Sequence, residues 1–174
     1  EVLMSVTALI PAAGMGKRMG QSVAKQFLPL GDRPMLAHTL MAFQRAPMVD
    51  EIIPILSRED MEHCLRDIIE RFHITKVKTL VVGGKERQDS VFNGLEKIGD
   101  DSGIVLIHDG VRPFVTQEMI AETAELAGGG QCVAVGVPLK DTVKEVRADG
   151  VVKTTLDRSR LWAIDRKTGQ PIVT

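Results

Sequence analysis

The sequence predicts a Rossmann-like α/β fold: a mainly parallel sheet with helices on both faces, plus a β-hairpin arm late in the chain. Three observations predict it. Short, nearly continuous apolar runs alternate with stretches of helical periodicity, as expected for parallel strands buried on both faces. Unusual loops follow three of those runs, where a parallel sheet collects its ligands. An Asp149-Gly150 pair separates two β-like runs, which signals a hairpin.

Taken in chain order, residues 6–10, 52–56, 77–82, 104–107 and 132–137 read as the strands. Residues 35–45, 59–72, 90–98 and 117–126 carry apolar side chains at helical spacing, with Gly, Pro and Asp punctuating the gaps. Ser90 or Asp89 is placed to cap the third of these helices. Residues 142–147 and 151–156 then flank Ala148-Asp149-Gly150, so an arm of about residues 140–158 is expected to extend from the core sheet.

A chain of 174 residues with 44% hydrophobic content can bury one core, so a single domain over residues 4–174 is expected, starting at Met4. The 22 basic and 23 acidic residues balance to −1, which speaks against a broad nucleic-acid or membrane surface and confines phosphate recognition to local groups. Cys64 and Cys132 lack disulfide-framework or zinc spacing and read as idle thiols. With no signal-peptide pattern and no apolar run of spanning length, a soluble cytoplasmic protein is expected. Tyrosine is absent and Trp162 is the one tryptophan, so base stacking on nucleic acid has no support and Trp162 reads as a packing anchor.

The first loop reads Pro11-Ala12-Ala13-Gly14-Met15-Gly16-Lys17-Arg18-Met19, with Lys25-Gln26 beyond it. Its small residues let backbone N–H groups approach a phosphate, and Arg18 and Lys25 are cations able to converge on a nucleoside triphosphate. Neither the G-x-G-x-x-G nor the G-x-x-x-x-G-K-[ST] spacing is met, which disfavours a dehydrogenase or a P-loop NTPase. A glycine-rich turn followed by a solvated basic segment is the competing reading.

The second loop, Gly83-Gly84-Lys85-Glu86-Arg87-Gln88-Asp89-Ser90, allows a base or ribose to lie close to its backbone, or serves simply as a helix cap. In the third, His108-Asp109-Gly110-Val111-Arg112-Pro113, Asp109 stands at a strand's carboxyl end, where it could hold Mg²⁺ or position a substrate hydroxyl. Arg112 could orient Asp109 or meet a phosphate. His108 reads as a partly buried strand-end residue with a satisfied hydrogen bond.

Together and in this order, the loops resemble the family of cytidylyltransferases acting on 2-C-methyl-D-erythritol 4-phosphate. The resemblance rests on Pro11-Ala12-Ala13-Gly14-x-Gly16-x-Arg18-Met19, Lys25-Gln26, Gly84-x-Glu86-Arg87-x-Asp89-Ser90-Val91, His108-Asp109-x-x-Arg112-Pro113, Asp141-Thr142 and Asp157-Arg158-x-x-Leu161-Trp162. Each motif is weak alone, and the ordered set is specific. It covers about residues 4–164.

The resemblance implies a nucleotidyltransferase fold of the GT-A-like kind and transfer of CMP from CTP to methylerythritol phosphate, with Mg²⁺ on the phosphates and pyrophosphate leaving. It implies CTP contacts from Ala12, Ala13, Gly14, Gly16, Arg18, Lys25, Gly84, Ser90 and Asp109, with Arg18 and Lys25 stabilising the transition state. Asp109, Arg112, Thr142 and Arg158 would hold the acceptor. The arm would be a dimerisation arm, making the protein a homodimer in which Thr142 and Arg158 serve the partner's site.

Beyond Ile164 the family continues with a Thr-Pro-Gln segment and a long C-terminal part. Here Asp165-Arg166-Lys167-Thr168-Gly169-Gln170-Pro171 follows, so the match reads as C-terminally incomplete. A ribitol 5-phosphate cytidylyltransferase shares the first loop and is the rival enzyme reading. A non-catalytic CTP-binding module is the rival from another class.

Overall fold

A computed structural model describes residues 4–14, 24–99, 102–164 and 172–173. The sheet grows from β1 (Ser5–Pro11), whose residues 6–10 are all buried. A two-residue ribbon, β2 (Pro29–Leu30) against β3 (Arg33–Pro34), leads into α1 (Met35–Arg45). After β4 (Glu51–Leu56), a single helical run opens as a 3-10 turn (Arg58–Asp60), passes through α2 (Met61–Cys64) and widens into a π-helix (Leu65–Glu70). β5 (Val81–Val82), α3 (Arg87–Leu95), β6 (Ser102–Ile107) and α4 (Gln117–Gly128) complete the core.

The four core strands pair in parallel in the order β5-β4-β1-β6. On one face Val6, Ala8 and Ile10 pack with Leu36, Leu40 and Phe43 of α1, Cys64 and Ile68 of the second helical run, and Ile120 and Ala124 of α4. The other face is covered by α3, whose Gly94 lies against Leu9 and Ile55. The expected mainly parallel sheet with helices on both faces is thus observed.

Some details differ from the sequence expectation, and α3 begins and ends three residues earlier than the expected 90–98. Within residues 77–82 only Val81–Val82 is a strand, with Val77 bridging Ile52 alone. Lys78 and Thr79 are exposed at the sheet edge, and their polar side chains leave that stretch without a buried face to hold its register. β7 (Ala134–Pro138) does not join the parallel sheet. It pairs antiparallel with β10 (Trp162–Ile164) and β11 (Ile172–Val173), and only Gly136 within it is buried. An apolar run of five residues does not encode which strand it will pair with.

Trp162 is 39% exposed on β10, so it is not the packing anchor expected. Between β7 and β10, β8 (Lys144–Val146) and β9 (Val152–Thr155) form an antiparallel hairpin whose turn places Gly150 at φ 81°, the left-handed region that glycine enters without strain. Among the described residues no helix is long and apolar enough to cross a membrane. Cys64 and Cys132 are both free; burial, with the nearby Asp60 carboxylate, pushes the Cys64 thiol up to about 12, whereas Cys132 is exposed.

Candidate active site

Parallel strands end at the same edge, and here each loop begins by prolonging its neighbour's hydrogen-bond ladder. The Ala12 N–H donates to Ile55 O at 2.7 Å, Gly83 N–H to Leu56 O at 2.8 Å, His108 N–H to Leu9 O at 3.0 Å and Gly110 N–H to Pro11 O at 2.9 Å. From α1, the fully buried Thr39 hydroxyl donates to Gly110 O at 2.9 Å and ties the third loop to the helix. The three loops singled out in the sequence therefore converge on one cleft of about 280 Å³.

The second loop is clamped by α3. Ser90, 2% exposed, accepts from Gly84 N–H at 3.0 Å and donates to Glu86 O at 3.1 Å. Asn93 Nδ2 donates to Val82 O at 2.9 Å. The cap of α3 is Glu86, with Asp89 three residues on accepting the Glu86 N–H at 2.9 Å in a capping box, so neither Ser90 nor Asp89 is the N-cap residue. Ser90 sits one turn inside the helix, where it props up the glycine pair.

Asp109 is the electrostatic centre of the cleft wall. Arg87 brings Nε at 2.9 Å and Nη2 at 2.8 Å to Oδ1, and Arg112 Nη2 lies 2.9 Å from Oδ2. Both carboxylate oxygens thus carry a guanidinium, an arrangement that orients two cations along one wall. Lys25 adds a third from the 3-10 turn Lys25–Phe27.

The cleft gathers six of the expected residues: Ala12, Ala13, Gly14, Lys25, Ser90 and Asp109. Pro11, Gln26, Arg87 and Val111 complete its lining. Gly84 stands behind it with its N–H committed to Ser90, and Arg112 reaches it through Asp109. Thr142 and Arg158 are exposed on and beside the hairpin, where Arg158 Nη1 donates to Lys140 O at 2.9 Å, and neither lines the cleft. Gly16 and Arg18 lie outside the described residues.

Arg87 is the functional candidate that motif reading passed over. Its local signal was weak: a cation in the first turn of a helix runs against the helix dipole and so gains from a carboxylate partner.

His108 corrects another expectation. Its ring tilts against Phe43 with centroids 5.2 Å apart, and its buried Nδ1 finds no hydrogen-bond partner among the described residues. Burial lowers its pKa to about 4 from 6.5, the neighbouring Asp109 carboxylate opposing the shift in part. Because the folded value lies below the unfolded one, the unfolded chain takes up the extra proton between those pH values. The neutral ring's contribution is intact above pH 6.5 and is lost as pH falls towards 4, by up to about 3 kcal/mol. Denaturant unfolding of the wild type and of His108→Gln across that range should show the steeper loss in the wild type; equal slopes would refute the assignment.

For a metal, the described residues offer no group of three or more His, Cys, Asp or Glu side chains. Asp109, the candidate ligand, has both oxygens engaged by arginines. A divalent cation therefore finds no protein cage among these residues.

A parallel sheet with a small-residue loop and cations gathered at its carboxyl edge is an α/β domain of the kind that meets its ligands at that edge. The family model described as IspD, 2-C-methyl-D-erythritol 4-phosphate cytidylyltransferase, matches residues 6–171. The chain belongs to this family and is a nucleotidyltransferase enzyme.

It is 48% identical over 161 residues to the 2-C-methyl-D-erythritol 4-phosphate cytidylyltransferase of Geotalea uraniireducens, covering 91% of this chain and 69% of the relative. To that of Syntrophotalea carbinolica it is 52% identical over 162 residues, covering 91% and 68%. The solved structure of 4-diphosphocytidyl-2C-methyl-D-erythritol synthase from Anaerococcus prevotii superposes with a TM-score of 0.80 at 31% identity, over 98% of this chain and 69% of that one. The chain thus spans about two thirds of the length of these relatives.

Proposed function

We propose that this chain transfers CMP from CTP to 2-C-methyl-D-erythritol 4-phosphate and releases pyrophosphate, a step of isoprenoid precursor synthesis by the non-mevalonate pathway. Supporting this reading, in a chain of this family, is the cleft in which Ala12–Gly14, Lys25, Ser90 and Asp109 meet.

In this reading Ala13, Gly14 and Gly16 offer backbone N–H groups to the triphosphate, Ala12 lines the cleft beside them with its own N–H held by Ile55 O, and Gly84 and Ser90 shape the wall beside the base. An oxygen of the acceptor's phosphate attacks the α-phosphorus, the bond from that phosphorus to the bridging oxygen breaks, and pyrophosphate leaves with the electron pair. No protein nucleophile is required, so the chain contributes positioning and positive charge, supplied by Arg18 and Lys25 where negative charge builds up. Mg²⁺ brought in with CTP would supply charge neutralisation at the phosphates, with Asp109 the carboxylate lining the cleft.

Asp109 and Arg112 are assigned to the acceptor side of the cleft, with Thr142 and Arg158 joining from the hairpin of a second copy. Exposed Val146, Val151, Val152 and Leu156 on that hairpin favour burial against another subunit, hence a homodimer. A cytoplasmic setting is proposed alongside, in keeping with the two free thiols.

Pyrophosphate release with CTP and Mg²⁺ tests the reading when methylerythritol 4-phosphate and ribitol 5-phosphate are compared as acceptors. Turnover is expected with the first alone. Turnover with ribitol phosphate, or CTP binding without release to either acceptor, would overturn it.

A further inference from the structure

The cleft wall contains a buried polar side chain that the proposed chemistry leaves without a task. Gln26 is 2% exposed, although it sits beside the exposed Lys25 and lines the same cleft. Its Nε2 donates to Asp60 Oδ2 at 3.3 Å, across 34 residues of sequence. Asp60 is held in turn by its own N–H, which donates to Ser57 Oγ at 3.2 Å and to Ser57 O at 3.1 Å.

Beyond the turn, the segment bearing Lys25 is tied on by Met35 N–H, which donates to Leu28 O at 3.0 Å, and by Phe27 packing on the core. As a three-residue 3-10 turn it makes two local backbone bonds, from Phe27 N–H to Ala24 O and from Leu28 N–H to Lys25 O. A turn this short is marginal without tertiary anchors. Two anchors come from the helical run after β4: the Asp60 carboxylate on Gln26, and the His63 ring, which meets Phe27 edge to face with centroids 4.6 Å apart. The carboxylate bond, long at 3.3 Å, is the more directional of the two contacts and satisfies a buried amide that would otherwise cost free energy.

We propose that Asp60 is a positioning residue for the transfer reaction: by holding Gln26 it sets the turn from which Lys25 reaches into the cleft. The inference rests on the reading of Lys25 as the cation that acts on the triphosphate. Misplacing a catalytic group by about 1 Å costs on the order of a hundredfold in rate, so loosening the turn at the residue next to Lys25 is expected to cost about tenfold in kcat. The KM for CTP should stay within about twofold, because Lys25 would act chiefly on charge that develops in the transition state.

Asp60→Ala, Gln26→Ala, the double variant, Asp60→Asn and Lys25→Ala are to be compared by steady-state kinetics and thermal unfolding. Hydrogen exchange at the Phe27 and Leu28 amides gives a readout independent of turnover. Asp60→Ala and Gln26→Ala should each lose about tenfold in kcat and the double variant no more than either, since both remove one interaction. Asp60→Asn keeps an acceptor oxygen and should retain most of kcat, which guards against a merely unfolded alanine variant. Exchange should quicken at Phe27 and Leu28 in Asp60→Ala and stay unchanged in α4, a split that a general loss of stability would not produce.

Wild-type kcat in folded Asp60→Ala, multiplicative losses in the double variant, or equal failure of Asp60→Asn and Asp60→Ala would each overturn the proposal. If those variants behave as wild type while Lys25→Ala is inactive, this inference alone fails. If Lys25→Ala itself turns over normally, the reading beneath it fails as well.

Discussion

Lys25→Ala is expected to lower kcat for pyrophosphate release by about 10²–10³-fold while leaving the fold intact, the scale seen when a single preorganised charge-stabilising group is removed from an active site. The loss should fall mainly on kcat. Negative charge shifts onto the leaving pyrophosphate only as the bond to the α-phosphorus breaks, so a cation fixed beside it is worth more in the transition state than in the CTP complex. The fold is spared because Lys25 is exposed, and the turn that carries it is anchored by Gln26 and Phe27 instead. Steady-state kinetics with both substrates varied, beside a thermal melt, checks both parts. A variant with undiminished kcat would remove Lys25 from the mechanism.

Gly83→Ala should weaken CTP binding and cost about 1–3 kcal/mol of stability through overpacking. A Cβ built on Gly83 would sit 2.4 Å from Ala13 Cβ and 2.9 Å from Ser90 Oγ, closer than such atoms approach. Something must therefore move, and either the first loop lifts away from the second loop or Ser90 gives up its bond to Gly84. The first route is relieved by trimming Ala13. Ala13→Gly in the Gly83→Ala background should therefore recover part of the lost affinity, a coupling that titration calorimetry with CTP reads directly. Unchanged affinity in the single variant would show that the two loops are not in register as described.

Much of this architecture was legible beforehand because it is written in local periodicity. The α1 boundaries agree residue for residue with the apolar spacing over 35–45, and β1, β4 and β6 lie within one or two residues of the runs that announced them. The convergence of the three loops was legible for a related reason: parallel strands end at one edge, and small or charged residues there stand out against apolar neighbours. What escaped notice depended on partners remote in sequence. β7 carries the same apolar signature as the core strands yet pairs in a separate antiparallel sheet, since an apolar run specifies burial and not the identity of its neighbour.

The side chains around the cleft divide the same way. Sequence alone established the alternation of strand and helix, the three loops and the residue types in them, because backbone preference and hydrophobic period are set within a few neighbouring residues. The folded chain settled which of those residues meet. It set Arg87 on Asp109 across 22 residues, brought Asp60 to Gln26 across 34, closed Gly83 onto Ala13, and left the His108 Nδ1 buried without a partner among the described residues. Contacts of this kind arise when strands distant in sequence are brought side by side, and their geometry depends on packing that no local pattern records.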